Sequence, residues 1–264
     1  MIAVEPRLIG TVNWVGLWTL YRKEVLRFLK VPWQTIVAPL VGGLLFLAVF
    51  ALAFSDRARV MGDLPYLEFL APGLIMMAVV QNSFANTSSS LMIAKIQGNI
   101  VDVLMPPLSA WELTLAYAAG GATRGMLVAV VVGLAMAPFV SLTVVNPWAL
   151  AFFCLAAALM LSLAGIAAGI WADKFDHMAS VTNFLVTPLS FLSGTFYSIR
   201  QLPDFWYWLS HFDPIFYAID GFRAGFIGTS DTSLLLGAAA LVGTNAALWV
   251  LCHRMFARGY KLKV

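Results

Sequence analysis

The chain has 264 residues, of which 61% are hydrophobic and only 11% are charged, and its formal net charge is +3. A soluble domain carries about a quarter charged residues, so this composition excludes an ordinary soluble protein and indicates a membrane protein with several spans. A net charge of +3 is too small to indicate nucleic acid as a partner. The distribution of charge is more informative, because the basic residues cluster near the two ends of the chain.

Residues 1–32 are predicted to form an N-terminal amphipathic interfacial helix. Its aromatic and aliphatic residues, including Trp14 and Trp18, fall on one helical face, and basic residues such as Arg22 and Arg27 fall on the other. This pattern is typical of a helix that lies in the membrane interface, with its basic face toward anionic headgroups. Pro32 is predicted to end it.

Residues 33–264 are predicted to form one transmembrane domain of an all-α membrane protein. About 20 apolar residues are needed to cross the hydrocarbon core. Pro138 and Pro147 divide an uncharged run that is too long for one helix, and Pro188 interrupts the fifth apolar run. These apolar runs predict six transmembrane helices, at about 33–54, 66–90, 118–138, 148–171, 179–197 and 234–252.

The second predicted span is unusually polar in its second half. Gln81, Asn82 and Asn86 occur there together with a run of serines. An unpaired amide in hydrocarbon costs several kcal/mol, so these side chains should not face lipid. Two interpretations stay open, namely hydrogen bonds between helices and the lining of a transport pathway.

The segment 91–113, LMIAKIQGNIVDVLMPPLSAWEL, is a polar interruption between two apolar segments. Its polar residues Lys95, Gln97, Asn99 and Asp102 alternate with aliphatic residues at helical spacing. We predict a short amphipathic helix outside the membrane, available for contact with another protein. The charged residues at 173–177 are predicted to form a loop after the fourth span.

Residues 198–232 contain two short helix-like pieces, which begin near Pro203 and Pro214 and are rich in aromatic residues. Each is too short to cross a membrane. They are predicted to form a re-entrant hairpin between spans 5 and 6, although an aromatic anchor at the interface explains much of the same pattern. With six spans, twelve of the sixteen Lys and Arg residues fall on the side of the two termini. The positive-inside rule therefore predicts cytoplasmic termini and an extracytoplasmic hairpin.

Several kinds of catalytic site have no motif in this sequence. It contains no GxxxxGK[ST] phosphate loop, no HExxH and no CxxC, and no predicted span carries an acidic residue near its centre. The chain is therefore expected to hold no metal and no catalytic residue. A secondary transporter or an intramembrane enzyme would need a cluster of ionisable residues within the membrane, and this sequence shows none. A membrane scaffold that recruits a partner remains an open alternative.

Three stretches resemble the permease subunits of ABC-2-type transporters, bacterial exporters with the type V fold. They are RKEVLRFLKVPWQTIVAPL, VDVLMPPLSAWEL, and PLSFLSGTFYSIRQLP followed by DPIFYAIDGFRAG. The resemblance covers essentially the whole chain in order. It implies a homodimer in the bacterial inner membrane with two copies of a separate ATPase subunit, which binds the ATP and Mg²⁺. The alternatives are a non-ABC membrane scaffold and a secondary transporter.

The resemblance also implies functions for particular residues, and an amphiphilic substrate: a lipid, a lipid-linked glycan or a drug. Contacts that couple the permease to the ATPase, through the interfacial helix and a cytoplasmic coupling helix, would involve Arg22, Glu24, Arg27, Lys95, Gln97, Asn99, Asp102, Leu104, Met105, Pro106, Pro107, Asp173 and Lys174. The substrate pathway would be lined by Gln81, Asn82, Asn86, Phe191, Phe196 and Tyr197. The exit hairpin would include Pro203, Trp206, Trp208, Pro214 and Arg223.

Overall fold

A computed structural model describes residues 10–54, 59–61 and 64–262, so residues 1–9 of the predicted interfacial helix lie outside the described part. The fold is all-α except for a small antiparallel pair of strands, β1 (Arg59–Met61) and β2 (Leu64–Pro65). Within the described residues, five helices are long and apolar enough to cross a membrane: Trp33–Ala53, Tyr66–Ile96, Ala110–Met136, Pro147–Trp171 and Leu234–Arg258.

Helix α1 (Trp14–Leu29) begins at Asn13, whose side chain accepts a hydrogen bond from the backbone N–H of Gly16. Its buried face consists of Leu20, Glu24 and Phe28, spaced one turn apart. Trp14 and Trp18 lie on the exposed surface, so the tryptophans do not form the face that packs inside the protein. A π turn (Trp33–Val37) then leads into α2 (Ala38–Phe54).

Helix α3 (Tyr66–Ile96) is the central helix of the bundle and the most buried of the five long helices. It continues six residues beyond the predicted span and gives way at Gly98, whose φ of 74° suits a residue without a side chain. A one-turn helix, α4 (Ile100–Leu104), follows. The predicted amphipathic helix in segment 91–113 is thus divided between the end of α3 and α4.

Helix α5 (Ala110–Met136) begins eight residues before the predicted third span. The reason is a capping box, in which the Ser109 hydroxyl and backbone N–H both donate to the Glu112 carboxylate. Helix α6 (Pro147–Trp171) matches the predicted fourth span within one residue. It packs closely on α3, since a Cβ added at Gly165 would meet the carbonyl oxygen of Phe84 at 2.5 Å.

The predicted fifth span, 179–197, differs from the structure. Helix α7 (Phe175–Val181), a π turn (Thr182–Val186) and α8 (Thr187–Leu192) form one helical stretch that starts four residues earlier and ends five earlier. It is not among the five candidate spans, because its first turns contain Asp176 and His177. The stretch ends before Gly194, whose φ is 74°.

Two short helices, α9 (Asp204–His211) and α10 (Pro214–Ile227), occupy the region predicted as a hairpin. Helix α10 is almost wholly buried among α3, α6 and α11, whereas the aromatic residues of α9 are largely exposed. Helix α11 (Leu234–Arg258) runs six residues beyond the predicted sixth span and is mostly exposed on the outside of the bundle.

Candidate functional site

A groove opens between α1 and the segment 97–109, and we call it the α1–α4 groove. Its volume is 490 Å³, and Gly16, Thr19, Leu20 and Lys23 of α1 form one wall. Asn99, Asp102, Val103, Pro106 and Leu108 form the other. Helix α4 takes this position because Ile100 and Val103 are buried, which leaves Asn99 and Asp102 on the outer face.

The residues predicted for coupling in segment 97–109 are all exposed. Asn99, Asp102 and Pro106 line the groove, and Gln97, Leu104, Met105 and Pro107 lie exposed nearby. Met105 is 76% exposed, which is unusual for such a large apolar side chain. Lys23 was missed by the sequence analysis, although its spacing from Gly16 and Thr19 places it on the same helical face. Arg22 is exposed on α1 but does not line the groove.

Glu24 and Arg27 are bonded inside the chain. Glu24 is fully buried, and it accepts hydrogen bonds from Ser90 Oγ at 2.8 Å and from Arg27 Nη2 at 3.3 Å. Arg27 also donates to the carbonyl oxygen of Asn86 at 2.6 Å and to its amide oxygen at 3.0 Å. This buried network joins α1 to the polar half of α3. Replacement of Glu24 is therefore expected to affect the stability of the fold as well as any coupling.

Lys95, predicted as a coupling residue, caps the end of α6. Its ammonium donates to the carbonyl oxygens of Ile170 at 2.7 Å and Ala172 at 2.6 Å. Asp173 lies 3.8 Å from Lys95 and accepts a hydrogen bond of 2.6 Å from Lys261. That hydrogen bond lowers the pKa of the Asp173 carboxyl and raises the pKa of the Lys261 ammonium. Of the two predicted residues in this loop, only Lys174 is exposed without a side-chain bond among the described residues.

Glu112 is a second residue that the sequence analysis missed. Besides capping α5, its carboxylate accepts the backbone N–H of Asn13 at 2.6 Å, although 99 residues separate the two. The side chain is buried. It therefore fastens the start of α1 to the start of α5 at one end of the α1–α4 groove. The signal that could have revealed it is the S-x-x-E spacing from Ser109.

A second groove, which we call the pathway groove, has a volume of 400 Å³ and lies between α2, α3 and the Thr182–Val186 turn. Two of the predicted pathway residues, Gln81 and Asn82, line it together with Phe46. The Asn82 amide is held in one orientation, since it donates to the carbonyl of Ala78 at 2.9 Å and accepts from Arg124 at 2.8 Å.

The other predicted pathway residues do not line this groove. Phe196 stacks on Phe191 with ring centroids 5.2 Å apart, and its ring centroid lies 6.1 Å from that of Phe46. These rings therefore extend the groove into an aromatic cluster. Asn86 is buried against Arg27, and Tyr197 donates to the carbonyl oxygen of Leu192 at 3.1 Å.

The residues predicted for the hairpin separate into an exposed and a buried group. Pro203 and Pro214 lie at the starts of α9 and α10, and Trp206 and Trp208 are exposed on α9. Arg223 is buried. It donates to the carbonyl oxygens of Phe69 at 3.1 Å and Gly194 at 2.7 Å, and its guanidinium lies 3.7 Å from the Phe69 ring centre. Arg223 thus fastens α10 to α3 and to the turn after α8.

Comparisons with known proteins place these features in a family. The model of the family described as "ABC-2 type transporter" matches residues 15–227. The chain is 37% identical over 250 residues to the inner membrane transport permease YadH of Escherichia coli K12, which covers 95% of this chain and 98% of that protein. It is 28% identical over 242 residues to nodulation protein J of Sinorhizobium fredii, with 87% of each chain covered. The similarity to the inner membrane permease YadH, together with the five long apolar helices, indicates a multi-pass inner membrane protein. The chain belongs to the ABC-2 type transporter family, as a membrane permease that works with an ATP-binding subunit.

Proposed function

We propose that this chain is the permease subunit of an ATP-driven exporter in which two copies of it assemble with two copies of a separate ATPase subunit. The chain itself carries no catalytic site, and the ATP and Mg²⁺ that drive transport are bound by the ATPase. The observation that carries this proposal is the α1–α4 groove, because two segments far apart in sequence form one exposed recess outside the long helices.

The groove has the features of a docking site for a protein. Lys23 and Asp102 give it both signs of charge, and neither makes an ion pair within the described residues. Met105 adds an exposed apolar side chain beside it. Protein interfaces commonly combine an apolar centre with such a polar rim. We therefore assign the groove to the ATPase, with Asn99 and Asp102 as contact residues.

The contacts behind the groove explain how movement would reach the membrane helices. Glu112 ties α1 to α5, and the Glu24–Arg27 pair ties α1 to α3 at Ser90 and Asn86. A displacement of α1 by the ATPase would act directly on α3. Glu24, Arg27 and Lys95 then transmit force within the permease rather than touch the ATPase.

The pathway groove supports an amphiphilic substrate. Gln81 and Asn82 present amide groups that suit a headgroup, and the aromatic cluster around Phe196 suits an acyl or polyprenyl part. A lipid, a lipid-linked glycan and a drug all have this chemistry.

The topology completes the proposal. Residues 175–192 insert into the membrane as a sixth segment, and transport is outward. The twelve basic residues counted on the side of the two termini support cytoplasmic termini, which place the α9–α10 hairpin in the outer leaflet.

Co-purification tests the proposal. The chain is expressed together with the ATPase encoded beside it, extracted in a mild detergent, and examined for mass and ATP hydrolysis. We expect a complex of two permeases and two ATPases whose ATPase activity changes when the permease is present. The proposal would be overturned if the chain purified without an ATPase, or if the rate of ATP hydrolysis were the same with and without the permease.

A further inference from the structure

The C-terminal ends of α6 and α11 enclose a third groove, which we call the α6–α11 groove. Its volume is 610 Å³. The small side chains of Ala167 and Ala168 and the exposed Leu251 form an apolar floor. Trp171 and Tyr260 stand at its edges, and each is just under half exposed. None of these residues belongs to the two grooves described above.

Two arginines give this groove its charge. Arg254 and Arg258 both line it, and they lie one helical turn apart on α11, so their side chains leave the same face. Both are exposed, and neither makes a hydrogen bond or ion pair among the described residues. The nearby Asp173 is bonded to Lys261 at 2.6 Å and does not line the groove. Among the residues that the structure describes, the groove therefore has positive charge with no acidic side chain in its lining.

The position of the groove relative to the membrane follows from its two helices. Both α6 and α11 are long and apolar enough to span a bilayer, and the groove lies where both end. Trp and Tyr side chains favour the level of the lipid headgroups. Arginines at the same level can bind a phosphate with paired hydrogen bonds. Acyl chains can meanwhile lie along the apolar floor.

We propose that the α6–α11 groove binds an anionic glycerophospholipid of the surrounding leaflet. Arg254 and Arg258 would hold its headgroup phosphate, Trp171 and Tyr260 would flank the glycerol region, and an acyl chain would lie over Ala167, Ala168 and Leu251. Basic pockets between membrane helices are known to bind such headgroups. The inference requires only that α6 and α11 span the membrane, and it is independent of the transported substrate.

Native mass spectrometry of the full chain in detergent tests this site. The chain is titrated with phosphatidylglycerol and, separately, with phosphatidylcholine of the same acyl composition. We expect tighter retention of phosphatidylglycerol. Arg254→Gln and Arg258→Gln should each weaken that retention about fivefold. Arg254→Lys/Arg258→Lys, which keeps both charges but loses the paired hydrogen bonds, should retain more phosphatidylglycerol than the double glutamine variant, which also shows that the protein is folded.

Lys30→Gln is the matched control, because Lys30 is an exposed basic residue at the end of α1, outside the groove. It should leave the preference for phosphatidylglycerol unchanged. Equal retention of the two lipids, a double glutamine variant that binds as the wild type does, or an equal loss in Lys30→Gln would overturn the proposal. Displacement of phosphatidylglycerol by the ATPase subunit would also overturn it, because the groove would then be a protein contact.

Discussion

The polar side chains where α1 meets α3 and those on segment 97–109 have opposite environments. Around α3, Glu24, Asn86 and Ser90 are buried and bonded to one another or to Arg27. On segment 97–109, Gln97, Asn99 and Asp102 are exposed. Within the described part of the chain, the one side-chain hydrogen bond that these three make joins Asn99 to Gln97.

This difference separates two functions that a sequence pattern cannot distinguish. A buried, bonded charge stabilises one arrangement of helices, and removing one partner leaves the other uncompensated. An exposed charge contributes little to stability and is free to meet another protein. Substitutions in the first group should therefore change stability, and substitutions in the second should change coupling.

The largest effect is expected from Glu24→Ala. The change leaves the Arg27 guanidinium without its carboxylate and Ser90 Oγ without an acceptor. We expect a loss of about 3 kcal/mol in stability, at the lower end for a broken buried pair because Arg27 is 29% exposed. Thermal unfolding in detergent measures it. Arg22→Ala, on the exposed face of the same helix, is the control, and equal melting temperatures for the two variants would contradict the network.

A smaller effect on the same side of the comparison is expected from Gly165→Ala. The new methyl group would press on Thr87 and on the carbonyl oxygen of Phe84 where α6 crosses α3. Overpacking of this kind costs about 1–3 kcal/mol. Gly243→Ala in α11 is the matched control, since a Cβ there meets nothing within 4 Å. It should be neutral or slightly stabilising, and a Gly165 variant that melts no lower than this control would show that the crossing can relax.

Asp102→Asn tests the exposed group. We expect no change in melting temperature and a loss of at most about fivefold in affinity for the ATPase, because an exposed charge pair contributes at most about 1 kcal/mol. Binding is measured with the purified permease and ATPase at low salt. Glu68→Gln, an equal charge change at the start of α3, is the control. Equal affinity of both variants would remove Asp102 from the interface.

The smallest effect concerns Asp173. The hydrogen bond from Lys261 lowers the pKa of this carboxyl in the folded state, so its contribution to stability is present above the unfolded pKa of about 3.9 and is lost as the pH falls through the folded value. The melting temperature of Asp173→Asn should lie slightly below that of the wild type at pH 6. The two should converge below about pH 4. A difference that does not depend on pH would contradict the assignment.

Much of the helical framework could be predicted because apolar length is a strong signal. The predicted spans 66–90, 148–171 and 234–252 lie within helices α3, α6 and α11, apart from small shifts at their ends. The ends were missed where a contact from a distant part of the chain extends a helix. For example, α3 continues to Ile96, and its last turn contains Lys95, which bonds to the end of α6.

The site was harder to predict, because burial of a charge depends on its partner. Glu24 occurs in a basic, amphipathic stretch, and nothing local shows that Ser90 and Arg27 surround it. Lys95 looks like an exposed loop residue, and its carbonyl partners lie 75 and 77 residues away. The exposed residues Asn99 and Asp102 were predictable, since they follow the local helical period of α4.

The two π turns at Trp33–Val37 and Thr182–Val186 have a consequence for the history of this family. Both border the pathway groove, through Gln34 and Thr182. A π turn accommodates one extra residue within an α-helix, whereas the same residue added to an uninterrupted α-helix would rotate every later side chain by about 100°. The two turns can therefore absorb a single-residue insertion or deletion while the helix faces beyond them keep their directions. Among related chains, we expect one-residue alignment gaps to fall at these two turns rather than elsewhere in the same helices.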